Sequence, residues 1–222
     1  MNALHAFEAC LTKREAQLIS GLTTPAKIQA FLDRIPYSGE EMYRCPVSVL
    51  RDRTGHCFDG ALFAAAMLRR IGYPPLILDM IPNDRDDDHL LALYKRDGSW
   101  GAVAKSNFSG LRLREPIYRT LRELVLSYFE DYFNARGEKT LRGYTVPLSL
   151  KAFDRLNWMT SDDHLDVIAD RLGEIRQITL LTEGMVANLA PVDKRSLQAG
   201  LLGVNDAGLY KPPKPRPPNI AG

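Results

Sequence analysis

The chain has 222 residues, 45% of them hydrophobic and 25% charged, with a formal net charge of +2. That is enough chain for one domain with extensions, and for a core that needs no disulfide or metal staple. A near-neutral balance with scattered basic residues excludes the long-range field that draws nucleic acid or a membrane surface, so neither is expected as a partner. Three cysteines, Cys10, Cys45 and Cys57, argue against a disulfide framework and fit a reducing compartment. Glu8 and Glu15 interrupt the apolar positions of the first segment, so no signal-peptide core is read there. No stretch approaches the ~20 apolar residues of a membrane span. A cytoplasmic protein is expected; nothing in the sequence sets its oligomeric state.

Helical spacing of Leu4, Phe7, Leu11 and Leu18 predicts an amphipathic helix over residues 3–19. Thr24 as N-cap and Pro25 at the first helical position predict a second helix to about Arg34, ended by Pro36. A loop follows, then a short segment, VSVLRDRTG, and then CFDGALFAAAMLRRIG. Ala61 to Leu68 is apolar almost all round, as in a helix buried inside a core. Gly72 and Pro74-Pro75 end it.

Strands are expected over Leu76–Ile81, Asp88–Lys95 and Ser99–Ser106, the last two joined by a hairpin at Arg96-Asp97-Gly98. Helices are expected over Thr120–Asn134 and over Ser161–Leu172, with Ser161 as N-cap. Residues 174–204 carry no decisive pattern. Residues 206–222 form a separate tail whose KPPKPRPPNIAG is expected to be extended and disordered. Elements segregated in this order indicate α+β rather than a doubly wound sheet.

Cys57 follows Gly55-His56 and opens the apolar helix. Unpaired N–H groups at a helix start carry partial positive charge, which favours the nucleophilic thiolate. Arg51, Arg53 and His56 are candidates to add positive charge, and the Cys57 N–H is a candidate oxyanion donor. His89, at the start of a strand, is the candidate general base. The acidic run Asp84, Asp86, Asp87 and Asp88 reads as a solvated loop, and Asp88 should face away from His89. Arg112, Arg114, Glu115 and Arg119 read as an ion-pair cluster, and Tyr128, Phe129, Tyr132 and Phe133 as core. His5, His56 and His164 lack metal-ligand spacing, so no metal is expected, and no cofactor is required.

Gly55-His56-Cys57, then His89, then Gly98-Ser99-Trp100 resemble the pattern of the transglutaminase-like superfamily of papain-like cysteine enzymes. GAVAKSNFSGLRLREPIYR and ELVLSYFEDYFN are also similar to a bacterial transglutaminase-like subfamily. The resemblance implies one α+β domain over residues 1–205, with a core of about 45–150. Its buried central helix would pack on a small antiparallel sheet, with added N- and C-terminal helices. It further implies acyl transfer through a thioester on Cys57, with His89 as base. The partner would be a peptide, amide or other acyl substrate, and the outcome hydrolysis or transamidation. The alternative is a binding or scaffold protein that keeps the fold without the chemistry.

The family usually orients its histidine with an aspartate where this chain has Ala104. A two-residue hairpin loop would set His89 opposite Ser106. A three-residue loop would set it opposite Lys105, with Asn107 diagonal to it. Asn107 is the better third residue chemically, because its amide oxygen can accept from the imidazole. Ser106 is second, and Lys105 has no acceptor to offer.

Overall fold

Local capping decides the first helices. Two helices, α1 (Ala3–Ala9) and α2 (Lys13–Ser20), stand where one was expected. Thr12 is the reason: its hydroxyl accepts from the Glu15 N–H, and the Glu15 carboxylate accepts from the Thr12 N–H at 2.7 Å. This reciprocal cap restarts the helix. The third helix, α3 (Pro25–Arg34), forms as its Thr24-Pro25 start requires. A short α4 (Pro46–Asp52) fills the VSVLRDRTG segment. Its start is held from far away, where Asp162 accepts from the Cys45 N–H at 2.6 Å and the Ser48 hydroxyl at 2.9 Å. The apolar helix is α5 (Cys57–Arg70), buried from Cys57 to Leu68.

The computed structural model describes residues 3–211. After α5 come β1 (Leu76–Pro82), β2 (His89–Arg96), β3 (Ser99–Val103), β4 (Arg114–Tyr118), α6 (Leu121–Leu126), β5 (Leu141–Thr145) and β6 (Leu148–Ser149). The last are α7 (Asp166–Glu174), β7 (Gln177–Thr179), α8 (Glu183–Ala187) and α9 (Lys194–Gly200). The strands form one seven-stranded antiparallel sheet, ordered β4-β3-β2-β1-β5-β7, with β6 on β1. The class is α+β, as expected. No helix among the described residues is long and apolar enough to cross a membrane.

Both faces of the sheet are covered. Ile77, Leu90, Ala92, Tyr94 and Val103 pack with α5 and the early helices. Leu78, Met80, Leu91, Leu93, Ala102 and Ala104 pack on the other face with Leu111, Leu124, Tyr128 and Tyr132. The β2–β3 hairpin closes with Arg96 opposite Ser99, so its loop is Asp97-Gly98, with φ of 49° and 81°. Two positive φ values suit a primed two-residue turn and match the twist of the strands.

Several expectations change. The helix expected to Asn134 ends at Leu126, where the Ser127 hydroxyl donates to the Leu124 carbonyl. Beyond it, Tyr128 donates to the Arg112 carbonyl at 2.7 Å, and Tyr132 to those of Met80 and Asp87. These anchors fix the buried aromatics against the sheet instead of along a helix. Ser161 does not cap a helix; it is bonded within a turn to Asp163, and α7 begins at Asp166. Residues 206–211 are not a detached tail: the Gly208 Cα lies against Tyr37, and the Tyr210 hydroxyl donates to the Asp84 carbonyl at 3.1 Å. The proline-dense remainder lies outside the described residues.

Gly60 lets α5 touch the sheet's continuation. A Cβ built on it would lie 2.0 Å from the Lys105 Cβ and 3.3 Å from its Cα. Neither atom is the loose end of a side chain, so one added methyl forces backbone to move. Gly60→Ala is expected to lower stability by about 2 kcal/mol despite alanine's better helix propensity. Urea unfolding would check this, and an unchanged midpoint would contradict the contact.

Candidate functional site

Cys57 lies in the wall of a cavity of about 570 Å³, together with Tyr37, Tyr43, His56, Asp79, Asp87 and Asp88. It is the first residue of α5, so its N–H is among those a helix leaves without an internal acceptor. The thiol is 8% exposed, and its sulfur lies 3.9 Å from the Asp88 carbonyl oxygen. Burial pushes this thiol well above its ordinary range, and the negative charges of Asp88, Asp87 and Asp79 push it the same way. Tyr37 acts in the opposite sense, hydrogen-bonding towards the sulfur.

The expected positive charge is engaged elsewhere. Arg51 is bonded to Glu15 at 2.9 Å, and Arg53 lies over the Phe31 ring at 5.1 Å. Burial holds His56 down to about 4, so it is neutral at pH 7. Behind it, Asp59 accepts from the N–H groups of Arg44 and His56 and is fully buried, which raises its carboxyl to about 7.

His89 stands on the other side of the sheet. It pairs with Met80, and its neighbour Leu90 pairs with Asp79. Residues opposite each other in an antiparallel pair share a face, and successive residues alternate. Met80 belongs to the face away from α5, so His89 does too; Leu90 and Asp79 belong to the α5 face. The His89 Nε2 lies 2.8 Å from the Leu111 carbonyl. A carbonyl only accepts, so Nε2 carries the hydrogen. Among the described residues, no hydrogen bond joins Cys57 to His89. The expectation that these two side chains meet is therefore corrected, and the reason is strand alternation.

Asn107 is not the orienter of His89 either. The two-residue loop excludes the register that would have made it a diagonal neighbour. Its amide instead donates to the Asn205 carbonyl at 2.9 Å and accepts from the Asn205 N–H at 2.8 Å. Ser106 accepts from the Phe108 N–H. Lys105 is buried, and its ammonium donates to the Leu32 and Ile35 carbonyls at the end of α3, which leaves α3 well capped. Ala104 N–H and C=O both bond the Gln29 side chain.

The residues that the sequence reading missed are Asp79 and Tyr37. Asp79 is 6% exposed, and its Oδ1 has no hydrogen-bond partner. Burial raises its carboxyl far above the usual range, and the nearby Asp88 charge adds to this. Burial and Asp87 raise Asp88 as well. The acidic run is therefore not wholly a solvated loop. Asp79 carried a weak signal in the sequence, a carboxylate inside an apolar strand pattern. Among the described residues, no group of three or more His, Cys, Asp or Glu is placed to hold a metal.

Burial lowers His89 from 6.5 to about 4, with the Leu111 carbonyl opposing the shift. A depressed folded-state value means stability that is present above pH 6.5 and lost as pH falls through about 4. His89→Gln, which keeps a donor for Leu111, should reduce the stability lost between pH 7 and pH 4 by roughly 2–3 kcal/mol. Urea titrations at both pH values test this, and equal losses in the two proteins would contradict it. Comparisons with whole proteins add a distant likeness. No protein-family model matches the chain, and no curated protein matches it. Among solved structures, it is similar to LapG of Legionella pneumophila at 14% identity and a TM-score of 0.34, over 47% of this chain and 68% of that one. An EGTA-treated form of LapG matches at 13% identity, with the same TM-score and coverage.

Proposed function

We propose that this protein is a binding protein on a transglutaminase-like fold, taking its ligand in the Cys57 cavity without a Cys57–His89 thioester cycle. The observation that carries this reading is the placement of His89 on the face of the sheet away from α5, hydrogen-bonded to Leu111. A base must reach the proton it removes, directly or through one water. The carboxylates around Cys57 further favour thiol over thiolate.

One observation favours the second reading, cysteine-dependent acyl transfer. Cys57 opens α5 on a cavity wall, where a peptide or amide carbonyl would find the helix N–H groups. In that reading the sulfur attacks the carbonyl carbon and the thiol proton passes to Asp88. The amine then leaves with a proton, and water resolves the thioester.

Iodoacetamide labelling across pH 6–10 separates the two readings. For the binding protein, exposed Cys10 should label before Cys57 at pH 7, and Cys57 labelling should rise only above pH 9. His89→Gln should leave that profile unchanged within about twofold. Fast neutral-pH labelling of Cys57 that is lost with His89→Gln would overturn the binding reading and restore the dyad.

A further inference from the structure

An orphaned carboxylate oxygen in a well-packed interior calls for a donor. Among the described residues, the Asp79 Oδ1 is the buried side-chain oxygen or nitrogen without one. Asp79 of β1 lines the Cys57 cavity, and so does Asp88, the residue just before β2. Glu40, Glu41 and Asp87 also line the cavity, and Lys211 is the one lining residue with a positive side chain among those described. Arg44, next in the chain to the lining residue Tyr43, is already committed to Glu40, Asp52 and Asp59. The protein therefore builds a negative cavity and supplies little to neutralise it.

We infer that the cavity takes the guanidinium of an arginine side chain in a peptide, with Asp79 and Asp88 as its acceptors. This deepens the binding reading and rests on it. Three observations select that chemistry. Asp79 on β1 and Asp88 just before β2 offer two carboxyl groups to one ligand. A rigid planar fork with five N–H donors matches carboxylate geometry better than the point charge of an ammonium. The wall carries Tyr43, half-open to solvent and braced against Phe58 at 4.4 Å between ring centroids, which offers a flat face to a planar cation. The volume, about 570 Å³, lies within the usual range of small-ligand sites and leaves room for the arm that carries the fork.

The test titrates the full chain by calorimetry with three capped tripeptides, Gly-Arg-Gly, Gly-Lys-Gly and Gly-citrulline-Gly. Citrulline keeps the shape and removes the charge. Arginine peptide should bind, the lysine peptide at least about fivefold more weakly, and the citrulline peptide without measurable heat. Asp79→Asn should weaken the arginine peptide by at least about tenfold, and Asp88→Asn should do the same. A control at the surface, Asp166→Asn, should change nothing. Equal affinity for arginine and citrulline, or unaltered affinity in both aspartate variants, overturns the inference. So does Asp79-dependent heat from calcium chloride alone in place of peptide. Mass spectrometry of the titrated peptides separates the two proposals. Cleavage or deamidation that Cys57→Ser abolishes would sink the binding reading yet leave an arginine site standing. Neither binding nor turnover would sink the arginine site alone.

Discussion

Successive side chains of a strand point to opposite faces, and in this protein that alternation sets Asp88 and His89 on opposite sides of one sheet. The rest of the site follows from it. The Met80–His89 and Asp79–Leu90 pairs fix the register of β1 and β2, and a slip by one residue would exchange every side chain between the two cores. Leu90 and Ala92 are locked against α5, while Leu91 and Leu93 are locked against Leu111 and Tyr128. With apolar packing on both faces, the strand has no freedom to turn His89 towards Cys57. The imidazole is then held as part of the second core, satisfied by the Leu111 carbonyl.

What stands over the sulfur is therefore acid. Asp79 and Asp88 occupy the α5 face with Asp87 nearby, and each is pushed towards its protonated form, chiefly by burial. A thiol among carboxyls is poorly suited to lose its proton, whereas a cavity of carboxyls is well suited to hold a cation. The start of α5 thus combines two opposing influences on Cys57, the helix N–H groups and the surrounding negative charge. Burial adds to the second.

Much of the fold was legible where local chemistry decides it. Thr24-Pro25 started α3, and the apolar surround of Ala61 to Leu68 marked a helix that is indeed buried. Asp97-Gly98 marked a hairpin, although only the structure chose its two-residue loop. The face of His89 was not legible, because Leu90 to Tyr94 is apolar at every position. A strand buried on both sides shows no alternation from which to tell one face from the other. Short strands were missed for a related reason. Residues 141–145 and 177–179 gain their state from pairing with β1 and with each other, not from their own pattern. The Thr12 cap was present in the sequence as Thr-x-x-Glu but stood inside a longer helical periodicity that hid it.

The bracket between Asn107 and Asn205 joins positions 98 residues apart, and Asn205 also reaches the Tyr37 carbonyl at 2.8 Å. It seats Ala207 to Lys211 along the cavity rim. This rim follows all seven strands in the chain, so the acidic floor and the thiol owe one wall of their chamber to its last described stretch. The two asparagines act as the hinge pin of that wall: cut them, and the chamber is left as a ledge open along one side.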